Sequence, residues 1–392
     1  MNNPAWLLLC LIVFSAAAQS PVPAGAKLEK IADGFQFVEG PVWKDGQGLL
    51  FSDINGNTIY QWTEENGATV YLRPSRNSNG LTFDLQGRLI LTQMGLRRVA
   101  RREGDGTIAP LAETYHGKKL NSPNDVVVKS DGAIFFTDPP FNIPTGQGQE
   151  LPFSGIFRIG TSGNLRLLDS TLAGPNGICF STDESKLYVN NSAERVIYVW
   201  DVVKDSMIAN KRRFASMKPS GYADGMKVDA QGNLFCAGPL GIWIFSPNGT
   251  VLDTILVPGQ TANCNWGDAD RGTLYITSGN SVYRIRMTTN GVLEHGTAGA
   301  GSIELHPNYP NPFNPETVIP YKIPRTAEIQ LVVWDVTGKW IRTVASGKQS
   351  EGDHRVIWDG RDESGRLMPS GVYVVILEAG GLRMSRKILL MK

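Results

Sequence analysis

The sequence contains little cysteine and little histidine. Four Cys and four His occur among 392 residues, and no pair of them has the spacing of a zinc-binding motif. Apart from Cys10 near the N-terminus, the cysteines are Cys179, Cys236 and Cys264, and an odd number argues against a full disulfide framework. Because each of these three lies in or beside an apolar run, we expect buried free thiols. A histidine-rich metal centre is not expected.

The chain also lacks an excess of charge and a hydrophobic run of membrane-spanning length. The formal net charge is +1, so the composition does not favour nucleic acid or an anionic membrane as a partner. The apolar run over residues 5–14 is shorter than the ~20 residues of a transmembrane helix. Small residues follow it, which predicts a signal peptide over residues 1–18 and an exported protein. The large Leu9 before Cys10 disfavours the alternative of a lipoprotein.

A glycine-rich strand–turn–strand repeat fills most of the chain. Six segments combine a polar residue, an apolar strand, a tight turn and a second apolar strand, at intervals of roughly 40–50 residues, the period of four-stranded propeller blades. The second strands begin at Leu49, Leu89, Ile134, Leu187, Leu234 and Leu274. Since one such unit cannot bury both of its faces, the repeat predicts an all-β, six-bladed β-propeller over residues 27–288. Residues 28–35 are expected to close the ring; two stacked β-domains are the alternative.

A polar side chain precedes the turn of each copy at nearly the same distance from the second strand. These residues are Glu39, Asn79, Asn124, Asn176, Asp224 and, less regularly, Asn263. Equivalent positions of a radial repeat converge on one end of the central channel, where facing carboxylates repel unless a cation neutralises them. Oxygen ligands of this kind suit one divalent cation, Ca²⁺ before Mg²⁺, Mn²⁺ or Zn²⁺. Asn and Asp before Gly also form ordinary turns, but Glu39 is a poor turn residue, so we predict a cation site.

Two further segments of the repeat region are candidates for the channel mouth. Lys119 lies just before Asn124 and is expected to reach a substrate there, with a solvated turn as the alternative. Residues 139–153 contain several Gly and Pro and predict a long loop, either a lid over the site or a simple insertion.

The pattern changes near residue 289. Residues 289–304 are rich in Gly, Ala and Thr and predict a flexible linker. Residues 305–392 then show short alternating strands and Gly-containing turns, which predict a small immunoglobulin-like β-sandwich. Its strands are expected at 318–323, 329–335, 340–344, 354–358 and 371–378, with one more in the tail after residue 382.

Seven motifs of the repeat region occur together in one known family. They are Glu-Gly-Pro-Val-Trp (39–43), Asn-Gly-Leu-Thr-Phe (79–83), Ser-Pro-Asn-Asp (122–125), Phe-Thr-Asp-Pro-Pro (136–140), Gly-Pro-Asn-Gly (174–177), Ala-Asp-Gly-Met (223–226) and Thr-Leu-Tyr-Ile-Thr (273–277). With them the region resembles the gluconolactonase family, which includes regucalcin and bacterial lactonases. The resemblance implies a six-bladed propeller with one divalent cation held by Glu39, Asn176 and Asp224, and Asn124 as a further ligand or substrate contact. Ser122 departs from sugar-lactonase relatives that carry Arg there, and Gln93 stands where relatives often have an acidic residue or His.

The C-terminal region carries motifs of its own. Asn-Tyr-Pro-Asn-Pro-Phe-Asn-Pro (308–315), Trp-Asp-Val-Thr-Gly (334–338), Trp-Asp-Gly-Arg-Asp (358–362) and Ser-Gly-Val-Tyr (370–373) are its most specific stretches. The region resembles the sorting domain of proteins exported by the type IX secretion system and the immunoglobulin-like domain of flagellar hook-capping proteins. That resemblance implies a secreted or cell-surface protein whose last domain is recognised by export machinery.

Together these features predict a secreted, metal-dependent lactonase acting on a small lactone. The cation, bound by Glu39, Asn124, Asn176 and Asp224, would polarise the lactone carbonyl, and Asp224 or the metal itself would activate water. The substrate contacts are expected from Asn79, Asn124, Lys119 and Asn263. Two alternatives remain: a cell-surface binding module with a structural calcium, or a phosphotriester hydrolase that uses the same groups.

Overall fold

The structure is a computed structural model that describes residues 20–287 and 303–391, except 24, 205, 206, 219, 220, 307, 336–338, 380 and 381. The expected signal peptide and nearly all of the expected linker lie outside the described residues. The chain divides between Thr288 and Thr289 into two compact units. The described residues are almost entirely strands and turns, with helix confined to short 3₁₀ turns such as Met94–Leu96. None of these helical segments has the length and apolarity needed to cross a bilayer.

Residues 28–286 of the first unit form six four-stranded antiparallel sheets. The N-terminal strand is β1 (Leu28–Ala32). The first and second sheets contain β2–β5 (Val38–Lys44, Gly48–Asp53, Thr58–Thr63, Gly67–Leu72) and β6–β9 (Ser78–Phe83, Leu89–Gln93, Arg98–Arg102, Ile108–Ala112). A short hairpin of β10 (Thr114–Tyr115) and β11 (Lys118–Lys119) follows the second sheet.

The other four sheets continue the same order along the chain. They contain β12–β15 (Val126–Val128, Ile134–Asp138, Gly155–Ile159, Leu165–Asp169), β16–β19 (Pro175–Phe180, Lys186–Asn191, Val196–Val203, Met207–Ser216), β20–β23 (Met226–Val228, Leu234–Gly238, Gly241–Phe245, Val251–Leu256) and β24–β26 (Thr261–Gly267, Thr273–Ser278, Ser281–Arg286). The sixth sheet takes its fourth strand from β1, which pairs antiparallel with β26. The predicted closure by residues 28–35 is therefore confirmed.

Tight turns join the first and second strands of each sheet, as the repeat predicted. Gly87 and Gly132 adopt φ of +73° and +87°, in the left-handed region where a side chain is disfavoured. The copies with less regular turn sequences use Glu184 and Arg271 in this region instead, at φ of +56° and +54°. The six second strands all begin where the apolar runs predicted them, within two residues.

The hydrophobic core of the first unit lies between neighbouring sheets. Six clusters of buried side chains each combine residues from two consecutive sheets, and the last joins the sixth sheet to the first through Tyr275 and Leu49. The sheets thus close into a β-propeller-like ring, which leaves few exposed edges. The three described cysteines, Cys179, Cys236 and Cys264, are buried free thiols, which confirms that prediction.

The described residues of the second unit form two antiparallel sheets that share one core. The strands are β27 (Glu304–Leu305), β28 (Thr317–Ile323), β29 (Ala327–Asp335), β30 (Trp340–Gln349), β31 (Gly352–Trp358), β32 (Gly371–Ala379) and β33 (Leu382–Leu390), in the orders β27-β28-β31 and β30-β29-β32-β33. Alternate residues of β28 and β29, such as Ile319 and Leu331, point into this core around the buried Trp358. All six predicted strands are present. The sequence did not predict β27, because a strand of two residues is too short to show an alternation of apolar and polar side chains.

Candidate functional site

A cavity of about 400 Å³ lies in the first unit where the first strands of the sheets begin. It is lined by five of the predicted polar residues, Glu39, Asn79, Asn124, Asn176 and Asp224. Each of them lies within two residues of the start of the first strand in its own sheet. Five sheets therefore each contribute one polar residue to a common wall, which we call the rim.

The rest of the cavity wall comes from loops between the strands. These residues are Phe37, Ile54, Asn55, Phe141, Asn142, Ser192, Ala193, Tyr222 and Gln260. Sequence reasoning did not find them, because they lie outside the repeated pattern and approach the site only through the closed ring. The one signal available was the long loop of residues 139–153, which contributes Phe141 and Asn142.

Two predicted site residues do not line the cavity. Lys119 is exposed on the short strand β11, where its backbone N–H donates to Glu150 at 2.8 Å. Asn263 lies one residue beyond the rim position. Thr261 pairs with the last residue of β25, just as Pro175 pairs with the last residue of β17. Ala262, which follows Thr261, is therefore equivalent to the rim residue Asn176, which follows Pro175. The sixth rim position is therefore alanine, and placing Asn263 among the rim residues was wrong by one residue.

The rim residues are held by side chains from the preceding sheet. The side chain of the last residue but one in a second strand donates to the backbone carbonyl of the next rim residue. The pairs are Ser52 with Asn79 at 2.8 Å, Thr92 with Asn124 at 2.8 Å, Thr137 with Asn176 at 2.7 Å and Asn190 with Asp224 at 2.5 Å. Sequence reasoning missed this role of the Thr-Asp pair that ends β13. Its recurrence as Ser-Asp, Thr-Gln, Thr-Asp and Asn-Asn was the available signal.

The second residue of each such pair holds the incoming loop of its own sheet. The carboxylate of Asp53 accepts from the backbone N–H of Phe37 at 3.0 Å, and that of Asp138 accepts from Asn121 and Ser122 at 2.7 and 2.8 Å. Because these buried carboxylates satisfy several backbone donors at once, they fix the path of the chain into the rim.

Glu39 is the most enclosed carboxylate of the rim. Its side chain is 2% exposed, and its Oε2 accepts hydrogen bonds from the backbone N–H of Gly40 and from Nδ2 of Asn263, the latter at 2.9 Å. Both donors bind Oε2 and neither binds Oε1, and the carboxyl of Asp224 lies within hydrogen-bonding reach of the Glu39 carboxyl.

The environment of Glu39 and Asp224 disfavours negative charge. Burial, with the charge of Asp125 adding to it, raises the pKa of Glu39 to about 7. Burial also raises the pKa of Asp224 well above its usual range, and the neighbouring Glu39 carboxylate acts in the same direction. Two adjacent buried carboxylates of this kind ionise together only when a positive charge compensates them.

The side-chain amide of Asn176 completes a cation-binding set. Its Oδ1 is buried without a hydrogen-bond partner, while its Nδ2 donates to Oγ of Ser192 at 3.5 Å. An unpaired buried oxygen is costly unless something binds it. Within the described residues no group of three or more His, Cys, Asp or Glu side chains is arranged to hold a metal ion, so a site here depends on amide oxygen as well as carboxylates. Glu39, Asn176 and Asp224 fit a hard divalent cation.

Comparison with known proteins identifies the family. The family model described as SMP-30/Gluconolactonase/LRE-like region matches residues 37–280. That span is more than half of the chain and contains every rim residue. The chain belongs to the SMP-30/gluconolactonase/LRE-like family. A second family model, FlgD Ig-like domain, matches residues 316–381 in the other unit.

Individual relatives of this chain support the same family assignment. A gluconolactonase from Zymomonas mobilis is 34% identical over 307 residues, covering 71% of this chain and 86% of the relative. The structure of a gluconolactonase from Xanthomonas campestris has a TM-score of 0.64 at 34% identity, covering 69% of this chain and 91% of that one. A calcium-binding regucalcin from Agrobacterium tumefaciens has a TM-score of 0.58 at 18% identity, over 66% of this chain and 93% of that one, and so shows the fold alone.

Two sequence departures within this SMP-30/gluconolactonase/LRE-like chain are buried; the side chain of Gln93 is hydrogen-bonded, whereas Oγ of Ser122 has no hydrogen-bond partner among the described residues. Ser122 is fully buried, and its backbone N–H donates to Oδ1 of Asp138 at 2.8 Å. Gln93 is also buried; it donates to the carbonyl of Ser75 at 2.9 Å and accepts from Arg98 at 2.7 Å. Neither side chain lines the cavity, so no charged group enters it from these positions.

Proposed function

We propose that the chain is an exported lactonase, a six-bladed propeller that hydrolyses an uncharged lactone with the help of one divalent cation, for which Ca²⁺ is the best fit. One observation carries the proposal. Two carboxylates, Glu39 and Asp224, and the unpaired Oδ1 of Asn176 meet in one cavity of a chain whose family includes gluconolactonases.

The charges around the rim favour a divalent ion. Glu39 and Asp224 have the buried carboxylate of Asp125 as a neighbour, and the ammonium of Lys227 opposes the charge of Asp125. When the three acids are ionised, these four groups carry two net negative charges, which one divalent cation neutralises. Glu39, Asn176 and Asp224 would hold that ion, with Asn124 beside them. When bound, it supplies a Lewis acid toward a carbonyl oxygen.

Asp224 is the carboxylate that the chain presents to water. Glu39 is almost fully enclosed and one of its oxygens already accepts two hydrogen bonds, whereas Asp224 is only partly buried at the cavity wall. Asp224 accepts a proton as water attacks the lactone carbonyl carbon, a step worth typically ~10²–10⁴-fold. The ring carbon–oxygen bond then breaks, and the proton passes to the ring oxygen, which becomes the hydroxyl of the hydroxy acid.

The cavity wall favours an uncharged substrate. Phe37, Phe141 and Tyr222 offer apolar surface to ring carbons, and the side-chain amides of Asn55 and Gln260 offer donors and acceptors to hydroxyl groups. Among the described residues that line the cavity there is no Lys or Arg, so an anionic group would be buried without a side-chain counter-charge. We therefore expect sugar-type lactones without a phosphate.

Lactone hydrolysis by chelator-treated and calcium-reloaded protein tests this function. In a pH-stat assay with δ-gluconolactone, a phosphorylated sugar lactone and aliphatic and aromatic lactones, activity should require the cation and the phosphorylated substrate should be poor. Asp224→Asn and Glu39→Gln should each lower kcat/KM at least a hundredfold while the protein stays folded. Asp45→Asn, an exposed carboxylate outside the cavity, is the control.

The outcomes separate the alternatives. Full activity in both Asp224→Asn and Glu39→Gln would end the proposal. No hydrolysis of any lactone, together with a lower melting temperature after chelation, would favour a binding module with a structural cation. Hydrolysis of a phosphotriester but of no lactone would favour the third alternative.

Export is the second part of the proposal. The N-terminal apolar run and the match of residues 316–381 to the FlgD Ig-like domain support an immunoglobulin-like C-terminal domain that acts as an export address. Deleting residues 303–392 in the native host should leave the lactonase inside the cell envelope. Unchanged appearance in the medium or at the cell surface would contradict this role.

A further inference from the structure

The layer directly beneath the rim has an uneven composition. The residue after the rim residue is glycine in four sheets, namely Gly40, Gly80, Gly177 and Gly225, and in the other two sheets it is Asp125 and Asn263. A Cβ at Gly225 would lie 1.9 Å from Cγ of Asn263, and one at Gly80 would lie 2.9 Å from Oδ1 of Asp125. The glycines therefore leave space that the Asp125 and Asn263 side chains fill.

The orientation of the Asn263 amide is determined by its neighbours. Its Oδ1 accepts from the backbone N–H of Cys264 at 2.8 Å, so its Nδ2 must point the other way. There it donates to Oε2 of Glu39 at 2.9 Å, across the junction between the sixth and first sheets. The side chain is 2% exposed, so water does not compete for this hydrogen bond.

Asp125 completes the same layer. Its carboxylate accepts from the backbone N–H groups of Val126 at 2.9 Å and Ile178 at 3.3 Å, and Asn263 also lies within its hydrogen-bonding reach. Asp125 thus ties the third and fourth sheets together, while Asn263 ties the sixth sheet to Glu39.

We propose that Asn263 is a positioning residue of the cation site: from the layer beneath the rim, it binds one oxygen of Glu39 and leaves the other oriented toward the ion. The inference rests on the proposed function, because it assumes that Glu39 is a ligand. It assigns Asn263 a place behind the ligand rather than against the substrate. Groups that orient a ligand from behind typically change metal affinity by ~10–100-fold when they are removed.

The chain contains a matched control two residues along the same strand. Asn265 has the same hydrogen-bond pattern: its Oδ1 accepts from Trp266 N–H at 2.8 Å, and its Nδ2 donates to the first sheet, to the carbonyl of Pro41 at 2.8 Å. Because these hydrogen bonds of Asn265 involve backbone groups and no rim side chain, a change there costs a similar inter-sheet hydrogen bond without removing the one to Glu39.

Calcium titration of the chelator-treated full chain tests the inference. Calorimetry with CaCl₂ on the wild type, Asn263→Leu and Asn265→Leu should show affinity lowered ~10–100-fold in Asn263→Leu and nearly unchanged in Asn265→Leu. Asn263→Ala is the second variant, because glycine occupies the equivalent position in four sheets and a small residue there is compatible with the strand. At saturating calcium, kcat of the Asn263 variants should return toward that of the wild type.

The results distinguish this inference from the proposed function. A wild-type chain that binds no divalent cation refutes the proposed function itself. A wild-type chain that binds calcium, with Asn263→Leu and Asn263→Ala binding equally tightly, refutes only the positioning role. Equal losses in Asn263→Leu and Asn265→Leu would also refute it, since a general loosening of the sixth sheet would then explain both.

Discussion

Single residues at the rim acquire their roles from burial. Glu39 and Asp224 are both carboxylates in one wall, yet Glu39 is enclosed by two donors while Asp224 remains accessible from the cavity. An enclosed carboxylate with fixed geometry suits a ligand, and an accessible one suits proton transfer. Both lie in an environment that penalises their charge, so the stability of the cation-free protein depends on their protonation.

That dependence predicts a pH effect on the cation-free protein. The folded-state pKa of Glu39 is raised from 4.5 to about 7. The folded state therefore binds the Glu39 proton more tightly than the unfolded state does. The resulting stabilisation is complete at a pH below the pKa of Glu39 in the unfolded chain, and it is lost as the pH rises through the pKa of Glu39 in the folded protein. We expect the melting temperature of chelated protein to fall as the pH rises from about 5 to about 8. The corresponding loss in the free energy of unfolding is on the order of a few kcal/mol.

Differential scanning calorimetry across that range measures the effect. Glu39→Gln should reduce the pH dependence without abolishing it, since burial also raises the pKa of Asp224 and of Asp138. Saturating calcium should remove most of the Glu39 contribution in the wild type, because a bound cation favours the ionised carboxylate. A slope that is the same in the wild type and in Glu39→Gln would show that other groups cause it.

The rim residues also show what the sequence can reveal about a site. Five of the six positions were predictable, because spacing from an apolar strand reports place in a radial repeat. Asn263 was misplaced by one residue, because the sixth rim position is the apolar Ala262 and the polar side chain of this copy comes one residue later. Phe37, Tyr222 and Gln260 were not predictable, since their loops share no pattern and meet only when the ring closes.

At the scale of elements, each sheet is coupled to the next by a buried hydrogen bond at the rim. Thr137 donates from Oγ1 to the carbonyl of Asn176 at 2.7 Å and accepts from Asp125 N–H at 3.2 Å. Thr137→Val keeps the shape but leaves both partners unsatisfied, so we expect a loss of about 1–3 kcal/mol in the free energy of unfolding. Urea denaturation measures it. Thr69→Val, at an exposed hydroxyl on β5, should stay within about 0.5 kcal/mol of the wild type.

The loop of residues 139–153 depends on a buried arginine. Arg97 is 2% exposed and donates from Nε to the carbonyl of Leu120 at 2.7 Å and from Nη1 to that of Gly148 at 3.2 Å. It thereby fixes the far end of the loop that carries Phe141 and Asn142 to the cavity. Lysine cannot make both contacts, so Arg97→Lys should raise KM several-fold and speed proteolytic cleavage within the loop.

The neighbouring arginine provides the control for this prediction. Arg98 binds Gln93 and Glu113 and does not contact the loop. Arg98→Lys should therefore leave KM and the cleavage rate close to those of the wild type. An unchanged KM in Arg97→Lys would mean that the loop does not depend on this side chain.

The extent to which elements were predictable follows from their local signals. First and second strands of the sheets were located because glycine turns and apolar runs mark them within a few residues. The outer strands, such as β5 with exposed Val70, carry weaker alternation. Four strands per sheet were predicted from the repeat period, but the bounds of the outer strands became clear only from the pairing within each sheet.

At the scale of the whole molecule, the chain separates the site from its second unit. All rim residues, the cavity wall and the closing strand β1 belong to residues 28–286, and the second unit has its own core around Trp358. A core that is complete within one unit needs no support from another.

A chain ending at residue 288 should therefore fold and retain kcat/KM for its lactone within about twofold, within the scatter expected when no contact to substrate is removed. Removing residues 20–33 should instead open the sixth sheet at β26 and expose its edge, with loss of soluble active protein. If the chain ending at residue 288 were folded but inactive, the second unit would have to contribute to the chemistry, and the assignment of the site to the rim alone would be wrong.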